Sequence, residues 1–182
     1  MSIYNEIGDR VNEHRLFALP PLIPPALGVT LRQIFVSAEV RSLFVGPWTT
    51  RAWEGRCGLL RADLDRFSQG GLIPVAARPF KKGKTAYMRQ LSRWLEEVWE
   101  IRSRGVQPGI RVLGRFADTD VFIALTWHKR PDLLGPKSRE WRDAIVGCKT
   151  EWRNLFPAYQ PKSGDASSVY PTDYISANTY LV

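Results

Sequence analysis

The clearest periodicity in the chain runs from Ser138 to Phe156. Trp141, Ala144, Ile145, Cys148, Trp152, Leu155 and Phe156 recur every three or four positions, and Pro157 follows. The spacing predicts one helix with a continuous apolar stripe. Ahead of it the period changes to two. Val98 to Arg104 (VWEIRSR) alternates Trp99 and Ile101 with Glu100, Arg102 and Arg104. Ile110 to Phe116 (IRVLGRF) reads as a second strand, and Asp120 to His128 (DVFIALTWH), apolar on both faces, as a central one. The link Ala117-Asp118-Thr119-Asp120 suits a hairpin turn. Together these segments predict a meander packed on the closing helix, with Trp141, Cys148 and Trp152 buried together.

The first half is patterned less sharply. Leu60, Leu64 and Phe67 predict a helix from Gly58 to Gln69, stopped by Gly70-Gly71. Met88, Leu91, Trp94 and Leu95 predict an amphipathic helix over Thr85 to Glu97, and Thr30 is expected to cap a helix carrying Leu31, Ile34, Phe35 and Ala38. Leu72 to Ala77 reads as a short strand, which Pro74 assigns to a sheet edge. The proline-rich run Leu19 to Gly28 is expected to be extended. The predicted class is α/β in the α+β sense: a small, twisted, mostly antiparallel sheet packed against helices. The expected organisation is an N-terminal arm with a proline-rich linker (1–28), a single α/β domain (29–157) and an irregular tyrosine-containing tail (158–182).

Length and composition narrow the chemistry. At 182 residues and 44% hydrophobic content, the chain predicts one globular domain without staples. Cys57, Cys148, His14 and His128 are its only cysteines and histidines, and they lack the short spacing of metal ligands. No metal and no cofactor is expected. No stretch approaches about 18 uncharged apolar residues, and Glu6, Asp9 and Glu13 are wrong for a secretory leader. The reading is cytoplasmic, with free thiols and no membrane partner.

The net charge of +8 is unevenly placed. Residues 1–48 hold four basic and four acidic side chains, and residues 131–182 hold six of each. Residues 49–130 hold 16 basic and eight acidic, so the whole excess lies in the middle. Arg78, Lys81, Lys82, Lys84, Arg89 and Arg93 follow one another with no acid between them. Such a surface attracts polyanions, because neutralising phosphates releases condensed counterions. Arg78, Lys81, Lys82, Lys84, Arg89, Arg93 and Arg104 are therefore the candidate nucleic-acid-binding set.

Strand alternation gives that surface a candidate centre. Arg111 and Arg115 share one face of their segment, and Arg102 and Arg104 share one face of theirs. Residues two apart on a strand lie about 6.5–7 Å apart, near the spacing of successive phosphates on one strand. Guanidinium meets phosphate oxygens bidentately. At the end of the third segment His128, Lys129 and Arg130 stand in sequence and combine an acid/base group with two cations. The alternative role for these arginines is pairing with Glu96, Glu97, Glu100, Asp118 and Asp120. No P-loop, Ser/His/Asp set or paired-carboxylate motif is visible.

The order of a basic amphipathic helix, VWEIRSR, IRVLGRF, DVFIALTWHKR and a closing helix resembles the RelE/HigB toxin superfamily, over residues 81–156. The resemblance implies ribosome-associated mRNA cleavage by basic residues without a metal. Carried over by position, Arg102 and Arg111 match the family's strand arginines, and Lys129 and Arg130 match the basic end of its third strand. The candidate catalytic residues are then Arg102, Arg111, Arg115, His128, Lys129 and Arg130, the partner is RNA rather than DNA, and an antitoxin or other protein is a further partner. The competing readings are a non-catalytic nucleic-acid-binding protein of phage or mobile-element type, stacking bases on Trp94, Trp99 and Trp127, and a protein-interaction module.

Overall fold

The computed structural model describes residues 2–23, 32–76, 85–91, 96–105, 107–164 and 171–182. Its elements, in chain order, are α1 (Ile3–Asn12), β1 (Leu16–Ala18), β2 (Gln33–Ser37), α2 (Ala38–Val45), α3 (Arg51–Ser68), β3 (Ile73–Ala76), β4 (Met88–Gln90), β5 (Trp99–Ser103), β6 (Ile110–Asp118), β7 (Val121–Lys129), α4 (Arg139–Leu155) and β8 (Thr179–Leu181). The strands form one mixed sheet in the order β1-β2-β7-β6-β5-β4-β3-β8. Four of its neighbour pairings are antiparallel, and β2–β7, β3–β4 and β3–β8 are parallel. This is the α+β class that the alternating segments predict.

The meander forms as expected. β5 pairs with β6 and β6 with β7, both antiparallel, and the β6–β7 turn closes with Asp120 in the left-handed region at φ 63°. The closing helix also matches its pattern. Ser138 caps α4 by accepting the Trp141 N–H at 3.1 Å, and Trp141, Ala144, Cys148, Trp152 and Leu155 are buried. With Ile7 of α1 they pack on Leu113, Val121, Ile123 and Leu125. The opposite face carries Val40 and Leu43 of α2 and Cys57, Leu60, Leu64 and Phe67 of α3, packed on Ile34, Val36, Trp99, Ile101, Phe116 and Phe122. The sheet is thus covered on both faces, and alternate residues of one strand enter different cores.

That double cover explains two corrections. Thr85–Glu97 does not form a helix in its described part: Met88–Gln90 is β4. Thr30 lies outside the described residues, but Ile34 and Phe35 belong to β2 rather than to a helix, and the helix begins at Ala38, where Ser37 Oγ accepts the Val40 N–H. Met88 faces one core and Leu91 the other, as do Ile34 and Phe35. Apolar residues three apart mark a helix when one face is buried, but they suit a strand equally well when both faces are. α3 also begins earlier than expected, at Arg51, where Thr50 caps it by accepting the Trp53 N–H.

A third correction concerns Pro74. β3 is not an edge, because β8 lies outside it. The Pro74 carbonyl accepts from Tyr87 N–H on the β4 side, so its missing N–H also faces β4, one residue before that ladder begins at Val75–Met88. On the β8 side the donor is Ile73, to the Asn178 carbonyl at 3.0 Å. The proline therefore costs the sheet no bond. β1, from residues 1–28, and β8, from residues 158–182, supply the two outer strands of this sheet.

Candidate nucleic-acid interface

Register across the meander sets the site. Arg102 on β5 is the cross-strand partner of Arg111 on β6, and Arg111 is the partner of His128 on β7. Neighbouring strands are about 4.8 Å apart, so the three residues form one transverse row about 10 Å long. The next row holds Arg89, Glu100, Leu113 and Thr126. Both rows lie on the face that α4 covers further along the strands.

Glu100 is the hub. Its carboxylate accepts from Arg102 Nε at 2.5 Å and lies 3.3 Å from Arg111 Nε. The carboxylate is 1% exposed, and the two arginine side chains 9% and 12%. Arg104, just past the end of β5 and exposed, donates to the Ala86 carbonyl at 2.6 Å. Arg130 reaches the same region: its guanidinium lies 5.9 Å from the Trp141 ring and donates to the Leu134 carbonyl. Burial pushes the Arg111 guanidinium down to about 10; Glu100 opposes this, while Arg102, Arg104 and Arg130 add to it. Arg111 thus feels three further guanidiniums against one carboxylate, and the local charge is positive.

His128 closes the row. It is half-buried, and its Nε2 is buried without a hydrogen-bond partner among the described residues. Burial lowers its pKa below 6.5, against the weaker pull of Asp132. The imidazole is therefore neutral at neutral pH, the state a general base requires. Thr126 Oγ1, buried in the adjoining row, also has no partner among the described residues.

Not every candidate converges here. Arg115 shares its face with Arg111 but lies four residues away, roughly 13 Å along the strand. There α4 covers it: the guanidinium lies 5.4 Å from the Trp152 ring and donates to the Glu96 carbonyl at 2.7 Å. Lys129 points to the opposite face, with Nζ 5.0 Å over the Trp53 ring. Arg89 lies half-buried across from Glu100. Arg78, Lys81, Lys82, Lys84 and Arg93 lie outside the described residues, as does Trp94. Trp99 is fully buried against Phe116 and Tyr174 and offers no face for a base; Trp127 is half-buried against Trp53.

Two residues escaped the sequence reading. Glu100 entered it only as one of several salt-bridge partners, although its position two before Arg102 on an alternating strand already puts both on one face. Trp53 had no signal, because its helix was read from Gly58 onward. Among the described residues no group of three His, Cys, Asp or Glu side chains is placed to hold a metal, and no helix is long and apolar enough to cross a membrane. Comparisons with protein-family models, curated proteins and solved structures find no match to this chain.

Proposed function

We propose that this chain is a basic nucleic-acid-interacting protein, working in the cytoplasm, that holds the phosphate backbone of RNA at the β5–β7 end of its sheet. The observation that carries this reading is that Arg102 and Arg111 share the single buried carboxylate of Glu100, with Arg104 and Arg130 close enough to act on Arg111. Glu100 neutralises part of that charge and holds Arg102 and Arg111 in place. The exposed Arg104 then makes the first contact with phosphate. The test is binding of an RNA oligonucleotide across a salt series. Log K should fall linearly with log[salt], by about 0.7 per phosphate neutralised on a single strand. Arg104→Glu with Arg130→Glu should flatten that slope, and binding indifferent to salt would favour the protein-interaction reading.

A second reading, metal-independent endoribonuclease action of the RelE type, is favoured by one observation: a neutral imidazole stands directly across the ladder from Arg111. His128 would take the ribose 2′-OH proton, and the guanidiniums would stabilise the phosphorane charge. Cleavage should persist in EDTA and be lost in His128→Asn. Absence of cleavage, together with normal growth when the chain is expressed, leaves binding as the function.

A further inference from the structure

The end of β7 carries a second set of groups, on the face away from the arginine row. Trp53, in the first turn of α3, and Trp127 of β7 lie with ring centroids 5.7 Å apart, tilted by 39°. Both are only partly buried. Lys129 Nζ lies 5.0 Å over the Trp53 ring, and Lys129 itself is exposed, so this indole face is within reach of solvent cations. Glu39 accepts the backbone N–H of Trp127 at 3.1 Å.

Alternation along β7 brings this platform within one residue of the phosphate site. Trp127 and Lys129 face α3, while His128 lies in the row of Arg111. One nucleotide step, roughly 6–7 Å, covers the distance between consecutive residue pairs of a strand. A chain of nucleotides crossing the end of β7 would therefore meet guanidiniums on one side and an indole with an ammonium on the other. A duplex keeps its bases paired inside and has only its two terminal pairs to lay on an indole. A single strand has every base to offer, and an aromatic ring takes any base because every base has a π-face. An incoming base would displace the exposed Lys129 ammonium, which then becomes available to the adjoining phosphate.

We infer that the nucleic acid this site selects is single-stranded, with one base stacked on Trp53 beside Trp127 and its phosphate held by Lys129. The inference rests on the proposed nucleic-acid function. The experiment compares a ten-nucleotide uridine oligomer with a blunt duplex of the same length, on wild type, Trp53→Ala, Trp53→Phe and Arg104→Glu. Trp53→Ala should lose roughly tenfold in single-strand affinity, within the range seen for base–aromatic stacking, with an unchanged salt slope. Trp53→Phe should keep most of it, and duplex binding should not respond to either change. Should Trp53→Ala fail to fold, wild-type protein irradiated with 5-iodouridine RNA decides the matter: the adduct should map to Trp53 or Trp127. Adducts found only elsewhere, single-strand affinity within twofold of wild type in folded Trp53→Ala, or a preference for duplex each overturn the inference. If wild type binds in a salt-dependent way that Arg104→Glu weakens but Trp53 does not influence, only the stacking site is lost. If wild type binds neither oligomer, the proposed function falls, and the inference with it.

Discussion

Glu100 reaches diagonally across the β5–β6 ladder to Arg111, with 3.3 Å between the carboxylate and Nε, and the same carboxylate holds Arg102 at 2.5 Å. One acid therefore supports two guanidiniums that the fold takes largely out of water. Removing one partner of a buried pair leaves an uncompensated charge, at a cost of about 3–5 kcal/mol. Glu100→Gln should lower stability by that amount in urea titration. A loss below about 1 kcal/mol would mean that the arginines swing into solvent. For the same reason Arg111→Ala tests stability as much as binding, so the exposed Arg104 is the cleaner probe of phosphate contact.

Trp152→Ala should cost roughly 3–5 kcal/mol. The ring is fully buried, packs on Phe156 at 4.8 Å between centroids, lies under the Arg115 guanidinium and donates from Nε1 to the Tyr159 carbonyl. Val146→Ala, on the exposed side of the same helix, should stay within about 0.5 kcal/mol. Equal effects in thermal melts would contradict the packing of α4.

Gly114→Ala should destabilise by roughly 1–3 kcal/mol or more. A Cβ there would lie 2.2 Å from the Ile123 carbonyl oxygen and 2.5 Å from Phe122 Cζ, beside the register shift of the β6–β7 ladder. Gly147→Ala, with nothing within 4 Å, is the control in the same denaturation series.

Two groups should leave opposite marks on the pH profile of stability. Glu97 is buried in the left-handed region at φ 50°; its carboxylate accepts from Tyr174 OH and Gln90 Nε2, and burial pushes its pKa above 4.5 against those bonds, the Gly164 N–H and Arg115. Its contribution is present below pH 4.5 and lost as pH rises through the raised value. Glu97→Gln should therefore gain on wild type as pH rises from 4 to 7. His128, with its pKa below 6.5, contributes stability above pH 6.5 that is lost as pH falls through the lowered value. His128→Asn should lose less than wild type on acidification. Parallel profiles for variant and wild type in guanidinium titrations at each pH would remove the group concerned.

The parts of this fold that can be read along the chain are those with one covered face or a clear turn. The stripe of α4, its Ser138 cap, the alternation of β5 and β6 and the Thr119-Asp120 turn are local patterns, and the structure keeps them. β2 and β4 were not legible as strands, because a sheet covered on both faces buries residues three apart as readily as residues two apart. Their identity came from docking between other strands. The outer strand β8 has no pattern of its own; three residues pair with β3 only because the tail returns to that edge.

The candidate site divides in the same way. Alternation alone puts Arg102 on the face of Glu100 and Arg111 on the face of Arg115. The register between strands, which no single strand specifies, made Glu100 the counter-charge of two arginines and lined up Arg102, Arg111 and His128. Arg111 and Arg115 look alike in sequence, but the crossing of α4 seals Arg115 against Trp152 and leaves Arg111 in the polar row. Burial of a charged side chain depends on what packs above it, and that comes from residues 30 to 40 positions away.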